Sequence, residues 1–155
     1  MLKGVPKGWC SPGYRVLEGN TTIAIVNLSS FREAGDLETE GATYQVYREG
    51  LFSGAFLLEE RGSVLARAEK PSALLRRFEV EYDGNEYLLE AESIMTRTFV
   101  LSAAGIQLGS IYAQHSLTRR SVVDLPEEIP LPVRLFIFWL VMILWKRASD
   151  AAAAG

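Results

Sequence analysis

From Leu135 to Trp145 the chain reads LFIFWLVMILW, eleven apolar residues without a break. A helix built on this run has no polar face, and a helix apolar on every side must be covered on every side. At about 1.5 Å per residue the run is about 16 Å long, while a bilayer core is about 30 Å thick and needs about 20 apolar residues to cross. Runs of about 10–14 are more often buried core helices or interfacial segments. Pro132 is a place where a helix can start, and Lys146-Arg147 suit its C-terminal end. The first expectation is a buried core helix over about 132–147. The competing one is membrane attachment by residues 133–147, with Lys146 and Arg147 at the headgroups.

What precedes the run decides what can cover it. Phe78, Val80 and Tyr82 alternate with Arg77, Glu79 and Glu81, the period of a half-buried strand. Tyr87, Leu89 and Ala91 continue the pattern across the hairpin turn Asp83-Gly84-Asn85. Similar runs are Tyr14–Leu17, Thr22–Leu28, Thr43–Tyr47, Ala55–Leu58, Val64–Ala68, Met95–Leu101, Ile106–Tyr112 and Leu117–Leu125. Turns are signalled at Gly19-Asn20, Arg61-Gly62 and Ala104-Gly105, and Glu33–Glu40 reads as an edge strand or a loop. That makes about ten strands, then a connector punctuated by Pro126, Pro130 and Pro132. A sheet face covers only one side of a helix. A barrel of eight strands holds only side chains, while about eleven strands can enclose a helix. The chain is thus expected to be mainly β, a closed barrel around a buried hydrophobic C-terminal helix.

At 155 residues the chain has the length of one domain. We expect a single domain over 1–149 and a flexible tail over 150–155. Apolar types make up 48% and charged types 23%, which excludes a disordered chain and a multi-span membrane protein. The net charge of −3 argues against nucleic acid as a partner. The N-terminus lacks the apolar core of a signal peptide, so a cytoplasmic, reduced protein is expected.

Enzyme chemistry finds little footing. Cys10 is the single cysteine and His115 the single histidine, so disulfides, all-Cys zinc sites and two-histidine mechanisms are excluded. No G-x-S-x-G elbow and no phosphate-binding Gly-rich loop occurs. A triad of His115 with a serine and Asp36, Asp83 or Asp124 is combinatorially open but has no support from spacing. Gly105-x-x-x-Gly109 has the letters of a helix-dimer motif but lies in a strand pattern. No catalytic residue, metal or cofactor is expected. Trp139, Phe136, Phe138 and Trp145 read as core, and a buried indole asks for polar barrel-wall residues aimed at Trp139.

The order of elements, with particular residues along it, resembles the tubby C-terminal-like superfamily, which includes tubby proteins, phospholipid scramblases and LURP-one-related proteins. The resemblance is carried by Tyr44-Gln45-Val46-Tyr47 and Gly50, by Phe56-Leu57-Leu58 into Arg61-Gly62, and by Ala68-Glu69-Lys70-Pro71-Ser72. It continues through Arg77-Phe78-Glu79-Val80, Tyr87-Leu88-Leu89, Arg97-Thr98-Phe99 and Gly109-Ser110-Ile111. It closes with Leu125-Pro126, Phe136 to Leu140 and Trp145-Lys146-Arg147. It covers about two-thirds of the chain and looks closest to small bacterial members that are little more than the domain. The resemblance implies a twelve-stranded antiparallel barrel around a buried helix. Tubby proteins bind phosphoinositide headgroups, and scramblases are associated with lipid movement and calcium. The acidic calcium loop and cysteine-rich stretch of scramblases are missing from this sequence.

The expected function is non-enzymatic recognition of an anionic lipid headgroup at a membrane surface, a fold-level analogy. Arg supplies forked donors suited to phosphate. The candidate residues are Lys70, Arg76, Arg77, Arg119 and Arg120. A solvated strand face is the plainer reading of these cations, with Arg77 paired to Glu79 or Glu81. The alternatives for the whole chain are a ligand-free protein-interaction or scaffold module, and the membrane-anchored protein already described.

Overall fold

The computed structural model describes residues 1–155 and contains twelve strands and one helix. In chain order the strands are β1 (Leu2–Pro6), β2 (Tyr14–Glu18), β3 (Thr21–Leu28), β4 (Ala34–Thr39), β5 (Ala42–Arg48) and β6 (Ala55–Glu60). They continue with β7 (Ser63–Glu69), β8 (Arg77–Tyr82), β9 (Asn85–Ala91), β10 (Phe99–Ala103), β11 (Ile106–Ala113) and β12 (Ser121–Asp124), and α1 (Leu131–Ala154) follows. Each strand pairs antiparallel with its sequence neighbours, and β1 pairs with β12 to close the barrel. The seam is in register at Leu2 with Val123 and Gly4 with Ser121.

Closure rests on period-2 burial. Leu2, Val16, Val26, Leu37, Val46 and Phe56 face inward from successive strands, and Phe78, Leu89, Phe99, Leu101 and Ile111 continue the lining. The helix fills the space they surround, and every residue from Leu135 to Val141 is 0% exposed. No helix is long and apolar enough to cross a membrane. The run that could have met lipid is enclosed by the wall. Burying a dozen such side chains is worth on the order of 20–30 kcal/mol gross, before chain entropy is subtracted. Aromatic contacts join helix to wall: Tyr14 meets Phe138 edge-on at 5.8 Å, and Phe56 meets Trp139 at 5.9 Å.

The wall makes room where the helix is bulkiest. A Cβ at Gly4 would stand 2.6 Å from the Phe138 ring, and one at Gly35 would stand 1.9 Å from the Asn27 carbonyl oxygen. Gly35 also faces the Trp139 indole, whose Nε1 has no hydrogen-bond acceptor. The polar wall residues expected at Trp139 are therefore replaced by a bare backbone slot. The aromatic volume is accommodated, and an unpaired donor is tolerated at about 1–3 kcal/mol.

Five features differ from the sequence reading. β1 lies in a segment that carried no strand signal, and residues 34–39 form a full strand, β4, in place of an undecided edge. β10 starts at Phe99 and not at Met95, and β12 starts at Ser121 and not at Leu117. The residues before each start lie in long loops held by side-chain contacts from elsewhere. Finally, α1 runs through Ala154, beyond 147 and into the segment expected to be a tail. Alanine is the best helix former, and extending an existing helix carries no nucleation cost.

Candidate functional site

An up-and-down barrel sorts its connections by end. β2–β3, β4–β5, β6–β7, β8–β9 and β10–β11 turn at one end, three of them through X-Gly pairs with positive φ: Arg61-Gly62, Asp83-Gly84 and Ala104-Gly105. Such pairs suit the two-residue turns that match strand twist. The six connections at the other end are longer and span residues 7–13, 29–33, 49–54, 70–76, 92–98 and 114–120. β12 runs toward the tight-turn end, so α1 enters there and leaves through the ring of long loops. Its Trp145 Nε1 donates to the Arg97 carbonyl at 3.1 Å as it passes.

All five candidate cations lie at this long-loop end, at the termini of β7 and β8 or in the last two residues before β12. They do not converge as five free forks. Lys70 donates through Nζ to the Ser72 and Ala73 carbonyls of its own loop. Arg76 donates to the Ile94 and Thr96 carbonyls of the next long loop, the latter at 2.8 Å. Arg119 reaches across the seam to the carbonyls of Gly8, Trp9 and Ser11, the last at 2.7 Å. Arg77 points to Glu79 at 3.9 Å, and the exposed Arg120 makes no side-chain hydrogen bond or ion pair. Adjacent residues of an extended chain point to opposite sides, so each Arg-Arg pair divides between a clamp and an outward charge.

A sixth residue belongs with the clamps. Arg97 donates to the Ser116 and Thr118 carbonyls, both at 3.4 Å. Arg76, Arg97 and Arg119 thus each hold the following loop, an unbroken relay through three loops to the chain's first one. Their guanidinium groups lie over aromatic rings at the barrel mouth: Arg76 over Phe99 at 5.1 Å, Arg97 over Trp145 at 5.0 Å, and Arg119 over Tyr14 at 5.5 Å. The sequence carries a signal for this. Ser72-Ala-Leu-Leu-Arg76, Ser93-Ile-Met-Thr-Arg97 and Ser116-Leu-Thr-Arg119 repeat the order serine, apolar tip, arginine at one-hairpin spacing. The repeat is spread over three hairpins and leaves no mark within any one of them.

Glu33 secures the helix exit. It accepts two bonds from Arg147, at 2.6 and 2.7 Å, and one from Arg48 at 3.1 Å. Partial burial lowers the Lys70 ammonium pKa below its ordinary value, and the charge of Arg147 lowers it further. Positive charge is therefore crowded around the mouth.

The loops also carry what no charge count reveals. Their tips expose Trp9, Phe31, Leu51 with Phe52, Leu74, Ile94 with Met95, and Leu117. Each long loop contributes at least one.

Other features offer less. A groove of about 980 Å³ lies against β3, β4 and β5 and is lined by Asn27, Glu33, Asp36, Tyr47, Arg48 and Glu59 among others. Its carboxylates oppose an anionic ligand. The Tyr47 hydroxyl donates to Glu59, and this bond, with burial and the nearby carboxylates, raises the phenol pKa. His115 is exposed in the β11–β12 loop, whereas Asp83 and Asp124 lie at the opposite end of the barrel. Asp36 is held by Asn27 at 2.8 Å. Gly109 packs on the Asp124 backbone in the sheet and not on a helix. Cys10 is exposed in the first loop. No family model, curated protein or solved structure matches this chain.

Proposed function

We propose that the chain is a non-enzymatic barrel of the tubby C-terminal-like kind that docks on anionic membrane lipid with its long-loop end toward the headgroups. What supports the kinship is the order of elements, twelve meandering strands and then a helix inside them. The observation that carries the function is the separation of charge along the barrel axis. The six long loops, with the charged residues that flank them, Arg48, Glu69 and Arg77, and the helix residues Trp145–Asp150, hold eleven Lys and Arg against five Asp and Glu, a net +6. The rest of the chain holds five against fourteen, a net −9, and the two parts together give the chain's −3. A modest whole-chain charge conceals a polarised molecule that an anionic surface would orient. Each Lys or Arg near such a surface contributes about 1 kcal/mol. The cytoplasmic leaflet carries the anionic lipid, and a peripheral cytoplasmic protein meets that leaflet.

Sedimentation with phosphatidylcholine vesicles, with and without about 30% phosphatidylserine, tests the reading. Binding is expected to be at least about tenfold stronger with the anionic lipid. Arg77→Glu combined with Arg120→Glu, which breaks no loop clamp, should weaken it by about tenfold or more. Equal sedimentation with both vesicles, or with neither, overturns the proposal. A protein-interaction module is the second reading, favoured by the exposed apolar tips; it expects no sedimentation with either vesicle.

A further inference from the structure

Resting on that reading, we infer that the six long-loop tips insert together into the interfacial layer of the bilayer, so that docking is hydrophobic as well as electrostatic. Single exposed apolar residues are ordinary on a protein surface. The distribution here is not scattered. Eight large apolar side chains are 85–100% exposed, and all eight sit on the long loops. Elsewhere no large apolar side chain exceeds 67%. The tight-turn end is built from the same strands and carries no comparable set.

Three further observations fix the occupant as a bilayer. The tips come from six loops spaced around the whole barrel mouth, so they define a ring facing one way. A ring of separate points suits a planar surface and not a groove for a peptide. The cations lie at the bases of these loops, where Arg76, Arg97 and Arg119 bind loop carbonyls. With the tips at the acyl boundary, the cations stand at headgroup depth, the arrangement of interfacial segments with an apolar face and a basic flank. The relay of clamps also holds the loops before contact, which lowers the ordering cost of binding.

Trp9 is a built-in reporter, because it is 95% exposed at one of the tips. Its signal is isolated by difference against Trp9→Phe. The test variant is Phe31→Ser, Phe52→Ser and Leu117→Ser together, three residues 99–100% exposed, and an unchanged melting curve verifies its fold. With vesicles containing phosphatidylserine at about 0.1 M salt, the variant should bind at least about tenfold more weakly than the parent. At about 0.5 M salt, where exposed charges are screened, the parent should stay bound and the variant should not. Trp9 emission should shift to the blue and be quenched by lipids brominated on the acyl chain. If parent and variant bind alike at low salt, both dissociate at high salt and Trp9 is not quenched, insertion is wrong while the electrostatic reading stands. If neither binds the anionic vesicles at low salt, both fail.

Discussion

A methyl group added at Gly35 would lie 1.9 Å from the Asn27 carbonyl oxygen and 3.3 Å from the Trp139 indole nitrogen. The nearer atom is backbone in a neighbouring strand, so it cannot turn aside as a side chain could. Gly35→Ala must part β3 from β4 or push the helix aside. The expected loss is about 2–4 kcal/mol, in the range of overpacked cores, read from the urea midpoint. A variant with an unchanged midpoint would mean that the wall has slack at Trp139. The need for such a slot is implicit in a large aromatic inside a barrel. Its location is not, because Gly35 sits beside Ala34 in a segment with no apolar alternation.

At the scale of elements, α1 is pinned where it leaves the barrel. Glu33, from the β3–β4 loop, is the shared acceptor for Arg147 on the helix and Arg48 on β5, and the three side chains are 25–38% exposed. Glu33→Gln leaves both guanidinium groups without a counter-charge beside Lys70. The expected cost is about 1–2 kcal/mol at low salt, and added salt should restore part of it by screening the remaining cations. Thermal unfolding at two ionic strengths checks both parts. The tight-turn end was legible in advance, because Asp83-Gly84, Arg61-Gly62 and Ala104-Gly105 need positive φ and say so locally. The long-loop end was not. Met95 and Leu117 sit within alternating runs that read as strand, and what keeps them out of strands is a hydrogen bond from an arginine about twenty residues away. Non-local bonds of that kind leave no mark in a short window. The five candidate cations could be collected from the sequence, but their division into clamps and outward charges depends on which neighbour each one reaches.

At the scale of the whole molecule, barrel and helix stand or fall together. The lining from Leu2 to Val123 has no partner but α1, and Leu135 to Val141 has no cover but the lining. A chain stopped after Pro130 should show no cooperative unfolding transition and should bind hydrophobic dyes, as loosely packed states do. A sharp transition in that truncated chain would mean that the strands pack on one another without the helix. This mutual dependence is why an unbroken apolar run predicts so much: a segment that cannot face water dictates that everything before it must close.

The same connectivity sets a timetable. The helix that completes the core follows all twelve strands, and the seam joins Leu2 to Val123. At about 5–20 residues per second, the ribosome takes roughly 6–25 s to deliver the strands through Asp124. Throughout that time the apolar faces of up to twelve strands exist with nothing to enclose. Each hairpin can form locally, yet none can be sealed, and open strand edges are the usual route to aggregation. The nascent chain therefore waits, vulnerable, for the helix that follows its strands, and the barrel can be sealed only once that helix has been made.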